Sequence, residues 1–258
     1  GMPRWQALLA ALDRRGLATS TQALYTIGQI EIAGDWAAYE ASRSRNHRQQ
    51  MRKLARRLER QGETHLRRYS QCDKGELPAL LKRGFEVEDR SWKGTEGTSV
   101  LRTPGGFEFY LRQAELLNSR GELQLVFLEH AGRPIAFEYG WLAKQTYFSP
   151  KVGYDDEFAA FRPGQLLRMK LYEEFHALGD CRRVDFLGPL SDATARWSNA
   201  EYGISRLVIA GTSQSSRWTL RLIEALHAAR RSTPSETPAE RRESVPHAPS
   251  EQAGLHSV

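Results

Sequence analysis

Residues that could do chemistry are most concentrated between Tyr147 and Leu178. The segment Tyr147-Phe148-Ser149-Pro150-Lys151-Val152-Gly153-Tyr154-Asp155 leads through a short loop into Arg162-Pro163-Gly164-Gln165-Leu166-Leu167. The pattern predicts a strand, a tight loop and the start of a helix, with Arg162 and Gly164 at the corner. The first N–H groups of a helix lack partners and the helix dipole is positive there, so such a corner suits an anion such as phosphate. Gly164 would let a ligand come close to the backbone. Pro163 fits the first helical position, where its missing N–H costs nothing. Turn geometry alone accounts for the same residues equally well, so the corner takes its meaning from the elements that position it.

Ahead of it, Trp5, Leu8, Leu9 and Leu12 predict a helix that ends at Gly16, and Tyr25, Ile27, Ile30 and Ile32 a short strand. Asp35 reads as the N-cap of a helix that turns Trp36 and Tyr39 inward. Met51, Leu54, Ala55 and Leu58 mark a narrow apolar stripe on a very basic helix that ends at Gly62. A strand through His65, Arg67 and Tyr69 follows. Next come a short helix over 76–82 stopping at Gly84, a loop over 88–97, and a helix from Phe107 to Arg120. That helix should bury Phe107, Tyr110, Leu111, Ala114 and Leu117, with Gly121 ending it.

Three alternating strands then read as a meander. They run through Leu123–Phe127 and Ile135–Trp141 and onward from Tyr147, with Ala131-Gly132-Arg133 as a hairpin turn. Pro150 removes a ladder hydrogen bond and so marks a bulge or the end of pairing. The helix from Gly164 should pack through Leu167, Leu171, Phe175 and Leu178 and stop at Gly179. A buried strand over 183–187, a short helix over 192–201 and a strand over 204–209 follow. Ser216 should cap a last helix, Arg217–Arg231, whose inner face is Trp218, Leu222, Ala225 and Ala229. Residues 232–258 are rich in Pro, Ser, Glu and Ala and read as a disordered tail. The order of elements gives an α/β chain with a mixed sheet.

The chain contains no apolar run near the ~20 residues that a membrane helix needs. Its first residues lack a signal-peptide pattern, and Cys72 and Cys181 stand far apart, so a cytoplasmic protein without a disulfide framework is expected. The histidines show no ligand spacing, so no metal is expected. Of the net charge of +6, more than all lies between Ser42 and Arg68, where ten Lys/Arg face only Glu59 and Glu63. The basic helix over 43–60 is either a solvated cover or a contact for an anionic membrane surface, RNA or an acidic polysaccharide. It carries no aromatic residue for base stacking, which counts against RNA.

Several pieces together resemble the GNAT superfamily of N-acyltransferases, and within it the cellulose-biosynthesis acetyltransferases of the CelD/BcsL type. They are Trp92-Lys93-Gly94 with Gly97-Thr98, then Phe148, Lys151 and Tyr154-Asp155, and then Phe158 with Phe161-Arg162-Pro163-Gly164 and Leu167. Asp185-Phe186 and Arg196-Trp197 complete the set. The resemblance implies a mostly antiparallel sheet flanked by helices, with a bulged strand and a V-shaped cofactor cleft. It implies a GNAT-like domain over 35–212, preceded by a short extension over 1–34 where relatives carry a longer front lobe, and followed by the helix over 213–231. It also implies acetyl-CoA as cofactor. Main-chain groups near Lys151 and Val152 would meet the pantetheine arm, and Arg162, Pro163, Gly164, Gln165 and Leu166 would hold the diphosphate. Only Arg162 and Gly164 match the usual phosphate signature, which has further glycines.

Acyl transfer from a thioester to an amine needs a base, a stabilised carbonyl oxygen and a proton for the departing thiolate. Asp155 and Glu138 are the candidate bases. Asp155 could instead cap the loop before the helix, and Glu138, alternating with Phe137 and Tyr139, should reach solvent. Tyr154 could protonate the thiolate or serve as a core aromatic, and Lys151 could hold an anionic group or stand in solvent. Trp92, Lys93, Asp185, Arg196 and Trp197 are the candidate acceptor residues. Asp185, if buried, needs a partner such as Arg196 or Lys93. The expected function is N-acetylation of a small or sugar amine, in surface-polysaccharide biosynthesis by analogy. The alternatives are a Fem-type aminoacyl-tRNA-dependent transferase, or a GNAT-like binding subunit without catalysis.

Overall fold

The computed structural model describes residues 3–232. In chain order its first elements are α1 (Pro3–Arg14), β1 (Thr19–Glu31), α2 (Trp36–Ala41), α3 (Arg45–Glu59), β2 (Thr64–Tyr69), α4 (Leu77–Asp89), α5 (Trp92–Thr95) and α6 (Gly106–Ser119). The meander follows as β3 (Leu123–His130), β4 (Arg133–Ala143) and β5 (Thr146–Tyr154). A 3-10 turn (Asp156–Phe161) then leads to α7 (Pro163–Leu178), β6 (Arg183–Pro189), α8 (Asp192–Ala195), β7 (Ala200–Ile209) and α9 (Gln214–Ser232). The strands make one mixed sheet of order β2-β3-β4-β5-β6-β1-β7. Pairing is antiparallel from β2 through β5 and between β6 and β1, and parallel between β5 and β6. This is the expected α/β class, with a mostly antiparallel sheet flanked by helices.

Two compact units divide the chain, Leu24–Ile204 and a smaller one built from residues 1–23 and 205–258. In the smaller unit the Ala210 amide donates to the Ala18 carbonyl at 2.9 Å. There α9 starts at Gln214, ahead of the expected Arg217, because Ser213 caps it: its Oγ accepts from the Ser216 amide at 3.2 Å. Trp218 and Leu222, expected to face inward, are exposed, while Leu220 is buried. The side chain of Ala229 and the expected tail beyond Ser232 lie outside the described residues.

In the larger unit the sheet has a core on each face. On one side α7 and α3 cover Val126, Leu128 and Ala136 with Leu58, Leu167, Leu171 and Phe175. On the other, Leu77, Leu81 and Phe85 of α4 and Ala114 and Leu117 of α6 cover Leu125, Phe127, Phe137 and Tyr139. Every residue of β3 is therefore buried, as expected of a strand with both faces covered. Covering both faces corrects one expectation. Glu138 does not reach solvent but is fully buried beneath α7. A second correction is local: Leu178, expected in the core, is exposed at the end of α7.

The largest departure is α4. It does not stop at Gly84 but runs on to Asp89, and Trp92 and Lys93 lie on the short helix α5 instead of a loop. Gly84 is needed for close approach. A Cβ there would sit 2.4 Å from the ring of Phe137, itself buried. Asp35 does cap α2, accepting from the Ala38 amide at 2.7 Å.

The bulge predicted from Pro150 is present. Tyr139 pairs with Lys151 but Trp141 with Phe148, so Ser149 and Pro150 together oppose Gly140. At Gly140 a Cβ would meet the Phe148 carbonyl oxygen at 2.5 Å. Only glycine fits opposite the extra residue.

Replacing Gly84 by alanine tests the helix packing. Overpacking against a fixed ring costs about 1–3 kcal/mol, against about 1 kcal/mol gained in helix propensity. Urea unfolding should show a net loss of stability. A stabilised G84A variant would mean that α4 does not pack on Phe137 as described.

Candidate active site

Parallel pairing between β5 and β6 is confined to Thr146–Arg183, Tyr147–Val184 and Phe148–Asp185. It ends where the bulge begins, so past Phe148 the second edge of β5 has no strand beside it. The Asp155 amide donates to the Ile135 carbonyl at 2.9 Å, toward β4. Main-chain groups alternate sides along an antiparallel strand. Those of Lys151 and Gly153 therefore also face β4, while those of Val152 and Tyr154 face the open edge. Lys93 Nζ donates to the Val152 carbonyl there at 3.2 Å.

The open edge leads to the start of α7. Arg162 is its N-cap residue and adopts the left-handed conformation, φ 52° and ψ 55°. That conformation costs a non-glycine residue about 1–2 kcal/mol. Pro163 has no N–H, and the amides of Gln165 and Leu166 both donate to the Arg162 carbonyl. Gly164 thus carries the one first-turn amide without a protein acceptor among the described residues. A Cβ on Gly164 would meet nothing closer than Val152 Cγ2 at 3.5 Å, an ordinary contact. Neither packing nor backbone conformation requires glycine here. A cavity of about 260 Å³ adjoins it, lined by Val152, Tyr154, Ala159, Arg162, Gln165 and Arg168. A wider depression, about 890 Å³, lies elsewhere, between α4 and α6, and holds none of these groups.

Of the candidate residues, Val152, Tyr154, Arg162, Gly164 and Gln165 are brought together. Gln165 uses its Oε1 to accept from Trp197 Nε1 at 2.6 Å, and Leu166 is buried in the core. Lys151 points to the opposite face of β5, 3.7 Å from Glu88 Oε1 and 5.7 Å from the centre of the Tyr110 ring. Burial, with Asp156 adding to it, raises the Tyr154 phenol above its ordinary value, so it keeps its proton at neutral pH.

Asp155 is clamped. Its Oδ2 accepts from Arg90 Nε and Arg133 Nη2, each at 2.6 Å, and its Oδ1 accepts from the Glu157 amide at 3.2 Å. Burial opposes ionisation, but the two guanidiniums and the amide outweigh it and hold the carboxyl below its ordinary range. The loop-capping role is the one its geometry fits. Asp185, buried as expected, pairs with neither Arg196 nor Lys93. It accepts from Gln29 Nε2 and the Leu187 amide, both at 2.8 Å. Trp197 is a core residue, edge-on to His47 at 4.5 Å. Trp92 is half-exposed, and Arg196 is exposed with no acceptor among the described residues.

Two groups were missed in the sequence. Glu88 is buried with Oε1 accepting from Lys93 Nζ at 2.8 Å and Oε2 from the Val100 amide at 3.2 Å. Its spacing from Leu77, Leu81 and Phe85 signals the inner face of α4, a signal lost once Gly84 was read as a stop. Arg168 is the other. Its Nε donates to Glu138 Oε2 at 2.9 Å and its Nη2 to Ser149 Oγ at 3.3 Å, so it joins α7 to β4 and to the bulge. Glu138 Oε1 and the hydroxyls of Tyr147 and Tyr172 are buried nearby without partners. Burial pushes both phenols well above their ordinary value.

A family model described as an acetyltransferase (GNAT) domain matches residues 45–202. No curated protein sequence matches the chain. Among solved structures, a conserved protein of unknown function from Bacteroides thetaiotaomicron VPI-5482 is 12% identical, with TM-score 0.53 over 80% of this chain and 67% of that one. FemX is 10% identical, with TM-score 0.50 over 76% of this chain and 67% of its own. A GCN5-related N-acetyltransferase from Sphaerobacter thermophilus is 11% identical, with TM-score 0.40 over 79% and 55%. At these identities the first two likenesses concern the fold alone.

The Glu138–Arg168 pair makes a direct test of how α7 is held. Removing one partner of a buried pair costs about 3–5 kcal/mol, whereas replacing both by apolar groups of similar size is near neutral. Glu138→Leu and Arg168→Met should each lower stability strongly in denaturant unfolding, and the double variant should recover most of the loss. Additive losses would show that the two side chains do not act as a pair.

Proposed function

The chain belongs to the acetyltransferase (GNAT) domain family, and from that premise we propose that it transfers an acetyl group from acetyl-CoA to a primary amine. The acceptor we propose is an amino sugar or a similar small amine of surface-polysaccharide biosynthesis, as in the cellulose-biosynthesis group. The observation that carries the proposal is Gly164. It is a helical glycine that neither packing nor φ demands, and it presents an unpaired amide beside a cavity at the end of an unpaired strand edge. Such a glycine costs a helix about 1 kcal/mol, which close approach of an anion to its backbone offsets.

These residues fit the diphosphate end of CoA. The Gly164 amide would donate to it, Arg162 would neutralise part of its charge, and Tyr154 would wall the cavity. The outward main-chain groups of Val152 and Tyr154 would hold the pantetheine arm along the strand edge. At ~3.3 Å per residue, the bulge lies about 13–16 Å from Tyr154 along β5. This puts the phenol at the diphosphate end and leaves the acyl end near Ser149 and Pro150. When bound, the cofactor supplies an activated thioester carbonyl. Lys93 now holds the Val152 carbonyl; once the pantetheine arm takes that place, its ammonium is the cation we assign to the oxygen of the thioester carbonyl. Glu88 fixes its ammonium from behind.

One observation favours a different donor. Arg45, Lys53 and Arg56 on α3 and Arg60 at its C-cap lie exposed with no carboxylate partner among the described residues, as a surface for an aminoacyl-tRNA would require. Such binding would weaken steeply with salt.

Calorimetry with CoA separates the two. Binding at micromolar to millimolar concentration is expected, with Gly164→Glu abolishing it and Lys93→Met sparing it while thiol release with amine acceptors falls by at least tenfold. No CoA binding at millimolar concentration, alongside salt-sensitive tRNA binding, would overturn acetyl transfer in favour of aminoacyl transfer.

A further inference from the structure

A second cavity, about 290 Å³, lies on the far side of Arg162 and Gln165, which line both cavities. His47, Met51, Asp192, Ala193 and Arg196 form the rest of its wall. His47 is only 5% exposed, and neither ring nitrogen has a hydrogen-bond partner among the described residues. Buried polar groups in folded proteins are nearly always satisfied, so an unpartnered imidazole at a cavity wall is suited to bind a ligand. The charge around it says which kind. Arg196 on the rim has no acceptor among the described residues, and Arg162 donates only to the neutral Gln50, at 3.0 Å. Against these two guanidiniums the cavity wall sets one carboxylate, Asp192.

We propose that this cavity is a subsite for a phosphate monoester dianion, held by Arg196, Arg162 and a ring N–H of His47. The proposal rests on Gly164 as the diphosphate end. A ligand crossing Arg162 from that corner enters the second cavity next. CoA itself carries such a monoester, on its ribose, and a phosphorylated sugar amine is the other source of the same chemistry. A neutral imidazole would donate one hydrogen bond to the dianion, and a protonated one would add a charge. The burial of His47, with Arg196, Arg43 and Arg162 and despite Glu40, holds its imidazole below the ordinary histidine value. A dianion beside it would oppose all of these and raise that value, with Asp192 the remaining charged neighbour on the wall.

The experiment has three arms. Calorimetry compares CoA with 3′-dephospho-CoA. The intact protein should prefer CoA by about tenfold or more, as expected for a charge-assisted hydrogen bond. Arg196→Ala should bring the ratio near one through CoA alone, and Arg196 is exposed enough that this variant should fold. If CoA and its dephospho form bind equally, glucosamine 6-phosphate tests the second source, and Arg196-dependent binding of it supports the subsite. Finally, the NMR titration midpoint of the His47 ring should move up when inorganic phosphate is added. This arm does not depend on CoA, so a protein that fails to bind CoA can still show the shift. An unmoved midpoint together with no preference for either phosphate overturns the subsite.

Discussion

One missing hydrogen-bond donor shapes the functional half of the molecule. Pro150 cannot extend a ladder, and Ser149 and Pro150 crowd opposite Gly140, which yields only because it lacks a Cβ. The bulge turns β5 away from β6, and their pairing stops at Phe148–Asp185. A strand in the middle of a sheet thereby gains an unpaired edge. Unpaired edges ordinarily invite aggregation and are blunted by charge. Here Lys93 stands over the Val152 carbonyl and serves that need while leaving room along the rest of the edge.

The rest of the site follows from how the two faces of the bulged strand are filled. Beneath it, Arg168 ties Glu138 and Ser149 to α7, which links that helix to the bulge. A buried ion pair adds little net stability compared with a well-packed apolar pair, but it penalises every arrangement that separates its members. Register between α7 and β4 is what it secures. Above the strand, Glu88 and Lys93 bring α4 and α5 to the same edge from the opposite side. The cleft thus has a helix start at one end, a cation along its side and a bulge at the other end.

Much of this was legible in the sequence wherever a local rule and the tertiary environment agreed. Asp35 caps its helix, Gly179 stops α7 in the left-handed conformation, and Pro150 bulges its strand, each for the backbone reason that its residue type supplies. The readings that failed are those where a neighbour far along the chain decided. Gly84 reads as a stop until Phe137 is placed against it. Glu138 reads as solvent-facing because alternation implies one wet face, and this sheet has none in its centre. Asp155 offers two readings, base and loop cap, and what favours the cap comes from Arg90 and Arg133, distant in sequence. His47 shows no ligand spacing in the sequence, and nothing local sets it apart among the arginines around it.

The central claim is that a phosphate-bearing cofactor lies along the free edge of β5 and ends on the first turn of α7. Backbone amide NMR during a CoA titration reads this residue by residue. The amides of Gly164 and Val152 should move most, with Arg162 and Tyr154 following. Shifts confined to the wide groove between α4 and α6, around Asp73, Asn118 and Gly121, would contradict it.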